Sequence, residues 1–505
     1  MSKVLDVQTA DTATASEHTE QGSYASRHIP ASEFESRSAY LDHELRIMKP
    51  RRWAMNLPGR DYRFEWEDLV PAIAGTIGIT VMFSAVMSAY AKAYGLGIDF
   101  VIENVRVELL VSATLFVVLV SGFLNPRANL AGNHGPMIPL IGTIAAFGGH
   151  PLALGIMIAV LGLTLSISKG GSKLVNLSSR SVSGGLLIYL GAMGVISQLS
   201  SFREWALAND VGPVFMGVLV STIISYAWLA KIGKRWLAIP LCSALAIVIA
   251  LVLGAPFEFS TAPGLPNLSP SYWWGQDTGW KLGLPTLDHF IAVAPFAILA
   301  VAMWSPDFLG HRVFQELNYP KEAKNVLMDV DDTMTSCSIR QATAAVIGGG
   351  NVASSWGTFM IPSAIAKRPI PAGAILTGLL CVVLAVSGYP MDITVWKPVM
   401  CIALLVGVFM PLLEAGIQMI DDAKGAETAG ICILASAVVN PVFGWSVTML
   451  LDNNGLTGDK KRAKSLTFSD RIVIPGITFA VSLFAMAWVG MLPGLPSLMQ
   501  SLGLN

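Results

Sequence analysis

The sequence predicts an all-α polytopic membrane protein, a 7+7 transmembrane inverted repeat with two half-helices. Three observations predict this fold class. Hydrophobic residues make up 53% of the 505 residues and charged residues only 13%, against about 25% charged in soluble domains. Fourteen apolar segments follow one another after residue 68. The third and the tenth are conspicuously short and glycine-flanked, which is the pattern of an inverted-repeat transporter.

The charged residues are concentrated near the N-terminus. Of the 67 charged residues, 21 lie within 1–68, which leaves 46 for the other 437 positions. That number is too small to cover a water-soluble surface, so the lipid bilayer is an expected partner. The composition excludes an ordinary soluble enzyme, a coiled coil and a nucleic-acid binder.

Residues 1–68 are predicted to be a cytoplasmic N-terminal segment without a signal peptide. Residues 1–40 are polar and expected to be mobile. Residues 41–68 combine several arginines with Trp53 and Trp66, a mixture that suits a segment lying against the membrane surface. The alternative is a solvated linker.

A membrane-crossing helix needs about 20 mostly apolar residues. The candidate segments are 69–91, 106–122, 135–147, 151–167, 183–199, 211–229, 236–255, 289–306, 337–350, 356–366, 370–387, 396–418, 428–450 and 471–492. They predict a first seven-segment repeat over 69–255, an extracytoplasmic loop over 256–288, a second repeat over 289–455, a final or extra span within 456–492 and a tail over 493–505.

The two short segments, 135–147 and 356–366, predict the binding site. Non-helical backbone at membrane depth must line a cavity, because hydrocarbon offers no hydrogen-bond partners. The start of a half-helix leaves N–H groups unpaired and carries the positive end of the helix dipole. Two such starts that face each other would bind an anion or a polar heterocycle.

The distribution of Lys and Arg predicts that the N-terminus is cytoplasmic. The loop 256–288 then lies outside, with Tyr272, Trp273 and Trp274 as interface anchors. The basic cluster 460–464 disagrees, because simple alternation places it outside.

A break at Asn440 and Pro441 would remove this conflict. It would divide 428–451 into two short legs that return the chain to the cytoplasm. Residues 471–492 are then either the fourteenth span or an additional one.

Several stretches resemble known permeases. Residues 68–75, 130–139 and 162–199 resemble the first, third, fourth and fifth spans of sulfate permease (SulP) proteins. Residues 307–310, Asp-Phe-Leu-Gly, and 407–417 resemble the eighth and twelfth spans of xanthine/uracil (nucleobase–ascorbate) permeases. Together these stretches cover about residues 68–455.

The resemblance implies one fold, built from a core domain and a gate domain, and a homodimer in the cytoplasmic (inner) membrane of a bacterium. One departure bears on the substrate. The nucleobase permeases carry a glutamate just inside the tenth half-helix, whereas 354–368 contains no acidic residue. The chain would then form a separate bacterial branch.

Ten residues around the half-helix starts are the predicted substrate-binding residues. Backbone N–H groups supply most of the contacts, hydroxyl groups add hydrogen bonds, and the first two residues line the entrance. The alternative is a tight turn in which glycine only permits close packing. The ten residues are Asn133, His134, Gly135, Pro136, Met137, Ser354, Ser355, Trp356, Gly357 and Thr358.

Asp307 is the predicted ion-coupling residue. An intramembrane carboxylate is costly and usually marks a path for ions or protons, so Asp307 would exchange H⁺ or help to hold Na⁺. The alternative is a residue at a helix end that pairs with Arg312. Glu414 would pair with Lys424 or lie at a domain interface.

No cofactor or metal site is predicted. The five cysteines have no metal-type spacing and suit small buried hydrophobes. The acidic residues Asp329, Asp331 and Asp332 favour a solvated face. No P-loop or hydrolase motif is present, so neither an ATP-driven pump nor an enzyme is expected.

The predicted function is a secondary active transporter of a small anion, an inorganic oxyanion, bicarbonate or a carboxylate, coupled to H⁺ or Na⁺. The alternatives are a nucleobase or heterocycle:cation symporter, a channel-like uniporter, and a membrane enzyme or scaffold without transport.

Overall fold

The computed structural model describes residues 23–503 except 129–131, 134–140, 259–261, 349–352, 355–359, 389–390, 440, 459, 491 and 493. These described residues form helices and one pair of two-residue strands. Among them, eight helices are long and apolar enough to cross a membrane. The protein is therefore an all-helical, multi-pass membrane protein.

The first half of the chain contains seven main helices and one strand. They are α1 (Leu69–Tyr94), α2 (Ile98–Ser112, continued by the π-helix Ala113–Leu124), β1 (Gly132–Asn133), α3 (Ile141–Ala146), α4 (Pro151–Ile167), α5 (Arg180–Ala208), α6 (Gly212–Lys231) and α7 (Ala238–Val252).

The second half has the same order of long and short elements, followed by one more helix. They are α8 (Leu287–Asn318), α9 (Val330–Val346), β2 (Ala353–Ser354), α10 (Met360–Ile365), α11 (Ile370–Ser387), α12 (Lys397–Leu404, continued through Leu405–Phe409 to Met410–Gln418), α13 (Ala423–Val438), α14 (Pro441–Asn453) and α15 (Ile474–Val489). That the halves are inverted repeats stays a prediction.

Short helices occupy the connections and the chain ends. They are Tyr24–Arg27, Arg37–Ile47, Gly170–Leu177, Pro270–Trp273, Met391–Val395, Lys460–Ser465 and Leu498–Ser501.

The buried apolar residues form two packing clusters. The first cluster draws on α1, α2, α4, α8, α9 and α11. The second draws mainly on α5, α6, α7, α12, α13 and α14, and includes residues of α10. That these clusters are the core and gate domains implied by the resemblance stays a prediction.

Close helix contacts within the second cluster depend on small residues. A Cβ atom at Gly416 would lie 2.7 Å from the carbonyl oxygen of Gly184, and one at Gly184 would lie 2.8 Å from that of Gly416. A Cβ atom at Gly194 would overlap the Phe409 ring. Glycine therefore sets the distance between α5 and α12, as it does in many membrane helix pairs.

The predicted segment 428–450 is two helices, as the break at Asn440 and Pro441 suggested. Helices α13 and α14 pack against each other, and α14 also packs against α15. Helix α15 follows as a further apolar helix. Whether it is the fourteenth span or an additional one stays a prediction.

The N-terminal segment, residues 23–68, packs onto the helical body. Leu45 is buried. Lys367 lies 3.1 Å from the Asp42 carboxylate, and Arg52 lies 2.6 Å from that of Asp332. The solvated-linker interpretation is therefore wrong, and the mobility expected of residues 1–40 does not extend to the helix Tyr24–Arg27.

The loop over 256–288 closes one end of the first cluster. Trp273, Trp274 and Trp280 are buried, and the indole N–H of Trp280 donates to the Gly348 carbonyl oxygen at 2.8 Å. The prediction that Trp273 and Trp274 anchor the protein at the membrane interface is wrong, because both indoles hydrogen-bond within the protein.

Candidate functional site

The two short segments meet through their backbones. Strands β1 and β2 pair antiparallel, with Gly132 opposite Ser354 and Asn133 opposite Ala353. Each strand precedes a six-residue helix, α3 or α10. Because the strands are antiparallel, the chain leaves the pair in opposite directions before these helices begin.

The strand pair lies among three long helices. Helix α1 packs against β1, α3 and α10, and α9 packs against β2. Helix α8 packs against both α3 and α10. The structure therefore brings the predicted binding segments together, beside the helix that carries Asp307.

Only two of the predicted substrate-binding residues are described. Asn133 and Ser354 lie in the paired strands. The other eight lie outside the described residues, so their roles stay predictions: His134, Gly135, Pro136, Met137, Ser355, Trp356, Gly357 and Thr358.

Asp307 lies well inside α8, which is longer than the predicted segment 289–306. Its side chain is buried, with 1% exposed. Arg312 instead pairs with Glu316, at 3.0 Å. The interpretation of Asp307 as a helix-end residue paired with Arg312 is therefore wrong.

Sequence reasoning missed a polar stripe on α8. His311 and Gln315 follow Asp307 at four-residue intervals and are equally buried. Side chains four apart in a helix lie on one face. This four-residue spacing could have indicated a buried polar face. It was overlooked because the eighth segment was expected to end at residue 306. The Gln315 amide oxygen accepts the Met328 N–H at 2.7 Å, which holds the chain before α9.

A second buried charge cluster joins α2 and α9. The Arg340 guanidinium lies 2.8 Å from the Glu108 carboxylate, and both side chains are almost completely buried. The Ser112 hydroxyl donates to Glu108 at 2.9 Å and accepts from Arg340 at 3.3 Å. The guanidinium also lies over the Phe83 ring, 5.3 Å from its centroid.

Cys337 on α9 lies near both groups, because Arg340 and Asp307 each act electrostatically on its thiol. Asp307 and Glu108 are buried carboxylates, and Arg340 is a buried guanidinium. Charges inside a membrane protein are rarely placed without a function, yet neither Glu108 nor Arg340 was predicted from the sequence.

A pocket lies within the second packing cluster. Its walls come from α6, α7, α8, α10 and α12. The Arg235–Glu414 ion pair, with its charged atoms 2.5 Å apart, forms part of the wall. Glu414 therefore lines this pocket and binds Arg235, so its predicted pairing with Lys424 is wrong. Its place at a domain interface stays a prediction.

The acidic residues at the start of α9 bind other parts of the protein. Asp332 is 2% exposed and accepts hydrogen bonds from Arg52, Trp53 and Asn125. The solvated face predicted for Asp329, Asp331 and Asp332 is therefore wrong for Asp332. No group of His, Cys, Asp or Glu within the described part of the chain could hold a metal ion.

Outside the spans, His150 precedes α4 and holds the loop 256–288. Its Nε2 lies 3.0 Å from the Gly283 carbonyl oxygen, and its Nδ1 accepts the Leu152 N–H. Burial lowers the pKa of His150 to about 4, and the neighbouring His289 acts in the same direction. The imidazole is therefore neutral at physiological pH.

Comparison with known proteins gives one family and several distant structures. The family model described as "Protein of unknown function (DUF3360)" matches residues 15–499. No curated protein matches the chain.

The solved structures that are similar to this chain include a bicarbonate transporter and a member of solute carrier family 26. The transmembrane domain of the cyanobacterial bicarbonate transporter BicA is 16% identical, with a TM-score of 0.47 over 76% of this chain and 96% of that one. SLC26A9 is 13% identical, with a TM-score of 0.45 over 76% of this chain and 64% of that one. Murine SLC26A9 in the inward-facing state is 11% identical, with a TM-score of 0.43 over 78% of this chain and 69% of that one.

Proposed function

The chain belongs to the DUF3360 family, and we propose that it is a secondary active transporter of a small anion. The substrate would be an inorganic oxyanion, bicarbonate or a carboxylate, and the driving ion H⁺ or Na⁺. The absence of catalytic activity, the dimer and the inner-membrane location stay predictions.

The observation that carries the proposal is the backbone pairing of β1 with β2. Strand backbone inside a bundle of membrane helices has to be buried in protein or line a cavity. Here it precedes α3 and α10, whose dipoles would direct their positive ends toward the space beside the strands. An anion placed there would accept hydrogen bonds from backbone N–H groups.

Asp307 would couple the anion to a cation. Its helix, α8, packs against both α3 and α10, and its carboxylate is buried. A proton or Na⁺ at this carboxylate would offset its charge and make anion binding nearby more favourable. When the Asp307 carboxylate is ionised and no cation is bound, its negative charge would repel the anion and weaken anion binding.

The two packing clusters would supply the motion. Helix α3 contributes residues to the first cluster and α10 to the second. Movement of one cluster against the other would therefore change the space beside the strand pair and expose the site to one side of the membrane at a time.

Uptake by proteoliposomes tests the proposal. Bicarbonate, sulfate and a dicarboxylate would be offered under an inward Na⁺ gradient, an inward H⁺ gradient or neither, with uracil and xanthine offered in parallel. We expect concentrative uptake of one anion under one gradient. Uptake of a nucleobase instead would overturn the anion proposal, and gradient-independent uptake would favour the uniporter.

Asp307→Asn tests the coupling. This variant should lose concentrative uptake but retain exchange of labelled for unlabelled substrate. The matched control is Glu316→Gln, because Glu316 lies on the same helix with its side chain 44% exposed. Normal concentrative uptake by Asp307→Asn would refute the role of Asp307.

A further inference from the structure

Residues 49–69, which we call the rim segment, expose many apolar side chains. Trp66 is 65% exposed, and Leu69, the first residue of α1, is 49% exposed. The large, exposed apolar residues of the segment are Trp53, Met55, Leu57, Phe64, Trp66 and Leu69. A concentration of exposed apolar side chains marks an interaction surface.

The amide side chain of the rim segment points inward instead. Asn56 is fully buried, and its amide donates to the carbonyl oxygens of Arg51 at 3.0 Å and Phe123 at 2.9 Å. Its neighbours Met55 and Leu57 are both exposed. This part of the chain therefore has its polar side chain inside and its apolar side chains outside, the reverse of a loop that faces water.

Three acidic side chains of the rim segment are also turned inward. Glu65 and Glu67 bind Arg37, and Asp68 binds Arg368. These carboxylates are at most 17% exposed. Residues 49–69 contain five basic and four acidic residues, which indicates a nearly neutral segment. The fold removes most of the negative charge from its surface.

The basic side chains of the rim segment remain accessible. Arg51 and Arg60 share the Asp61 carboxylate, and Arg52 binds Asp332. The other two are exposed and have no carboxylate partner among the residues that the structure describes. They are Lys49 and Arg63. Five cations with two carboxylate partners leave an excess of positive charge at this surface.

The rim segment lies where two membrane helices begin and end. The candidate span Trp66–Tyr94 starts within it. Before that, the N–H groups of Ala54 and Asn56 donate to the carbonyl oxygens of Leu124 and Phe123, at 3.0 and 2.7 Å. These two residues end the candidate span Ile98–Leu124.

Both helix ends lie on the same side of the protein. Arg368, which precedes α11, binds Asp68 just before α1. Near the end of α2, a Cβ atom at Gly122 would lie 2.6 Å from Cγ1 of Ile375, in the first turns of α11. The start of α11 thus contacts both ends, and the rim segment lies at one surface of the membrane.

We propose that the rim segment binds the headgroups of anionic phospholipids in the bilayer. Aromatic side chains favour the boundary between hydrocarbon and water. Lys and Arg are attracted to the negative potential of a leaflet that contains anionic lipids, and arginine can bind a phosphate through two N–H groups. This inference goes beyond the proposed transport and does not depend on it.

The charge of the rim segment argues against a second copy of the chain as the occupant. In a twofold dimer, each surface meets the same surface of its partner. Two rim segments would then bring their excess positive charges together, which is unfavourable. An anionic lipid surface would instead neutralise this charge and cover Trp53, Met55 and Phe64.

Spin labelling of the full-length protein in nanodiscs that contain phosphatidylglycerol tests the contact with the bilayer. Met55→Cys places a label in the rim segment. The control is Glu35→Cys, because Glu35 is exposed and lies on the same N-terminal segment outside the rim. The five native cysteines are buried, so background labelling is low.

The two labels should differ in their accessibility to paramagnetic reagents. The label at 55 should be more accessible to oxygen, which partitions into lipid, and the label at 35 to a water-soluble nickel chelate. The same aqueous profile at both positions would overturn the proposal.

Thermal unfolding of the detergent-purified protein tests the headgroup. The measured quantity is the concentration of phosphatidylglycerol that gives half of the maximal rise in Tm, with phosphatidylcholine as the neutral lipid. Each Lys or Arg near an anionic surface changes binding by about fivefold. The double variant Lys49→Gln, Arg63→Gln should therefore need about 25-fold more phosphatidylglycerol.

The control for this measurement is Lys321→Gln, because Lys321 is an exposed lysine outside the rim segment. It should need the same concentration of phosphatidylglycerol as wild type. An equal rise in Tm with phosphatidylcholine and phosphatidylglycerol would contradict anionic recognition, and so would a double variant that responds as wild type does.

Disulfide cross-linking in liposomes tests the other occupant. Met55→Cys chains treated with an oxidant should stay monomeric on a non-reducing gel, because lipid covers position 55. A disulfide between two Met55→Cys chains would assign the rim segment to an interface between copies and overturn the proposal.

Discussion

Removing one partner of the Asp68–Arg368 ion pair should destabilise the protein strongly. Nε and Nη2 of Arg368 each lie 2.8 Å from a different carboxylate oxygen of Asp68. The side chains are 2% and 0% exposed for Arg368 and Asp68. Because a buried charge would be left without its partner, either single replacement should cost about 3–5 kcal/mol in the free energy of unfolding.

That free energy converts to a shift in melting temperature. Unfolding entropy is about 2.1 cal/mol/K per residue, which gives about 1 kcal/mol/K for a chain of 505 residues. Arg368→Met or Asp68→Asn should therefore lower Tm by about 3–5 °C. The double variant, which leaves no unpaired charge, should recover most of this loss.

The assay is thermal unfolding of the detergent-purified protein, followed by tryptophan fluorescence. The exposed pair Arg312–Glu316 provides the control, because its side chains are 42% and 44% exposed and such pairs contribute only about 0–1 kcal/mol. Arg312→Met should therefore leave Tm within about 1 °C of wild type.

Two results would refute the reasoning. One is a single Asp68 or Arg368 variant as stable as Arg312→Met. The other is a double variant whose Tm loss equals the sum of the two single losses, since independent effects imply that the two groups do not interact.

Three further predictions follow from the fold. Protonation of His150 below about pH 6.5 favours the unfolded chain. The free energy of unfolding of the wild type should therefore fall by about 2 kcal/mol between about pH 7.5 and 5. A His150→Gln protein whose Tm falls as much as that of wild type over that range would contradict this. Gly416→Leu should prevent the close approach of α12 to Gly184 and lower the yield of folded protein, measured by size-exclusion chromatography. Gly430→Leu is the control, because a Cβ atom at Gly430 would meet no neighbouring atom. Equal yields of the two variants would be inconsistent with the packing of α5 against α12. Cysteines placed at Leu456 and at Leu495 should react with an impermeant maleimide from opposite sides of the membrane, against low background because all five native cysteines are buried; labelling of both from one side would show that α15 does not span.

The sequence carried enough information to place the two short segments and to suggest that they meet. Their glycine-rich flanks and their matching positions follow from local backbone chemistry, which a single sequence displays. The break that separates α13 from α14 was visible for the same reason, because proline limits helices locally. The pairing of Gly132 with Ser354 shows that the two segments meet; that they form one binding site stays a prediction.

Contacts between distant residues were not visible. Glu108 and Arg340 are 232 positions apart, and each alone resembles an ordinary charge near a segment end. Arg52 and Asp332 are 280 positions apart. Asp332 was expected to be solvated because acidic residues in loops usually face water. In the folded protein the N-terminal segment covers its side chain.

Helix length was the other weakness. Hydropathy ended the eighth segment at residue 306 because polar residues follow, but α8 continues to Asn318. Its polar side chains face the protein interior rather than lipid. Because the eighth segment was expected to end at residue 306, the four-residue spacing of Asp307, His311 and Gln315 was not interpreted as one face of a helix.

Helix α15 also determines what can reach the site from within the bilayer. It packs against both α8 and α14, its residue Trp488 contacts the first packing cluster, and Ile474 contacts the second. The helix therefore covers the line where α8 meets α14, and acyl chains cannot insert between them there. A lipophilic inhibitor directed at the contact between α8 and α14 would have to approach from an aqueous face of the protein or from the side that α15 does not cover. Removing α15 would open a lateral portal toward α8, the helix that carries Asp307.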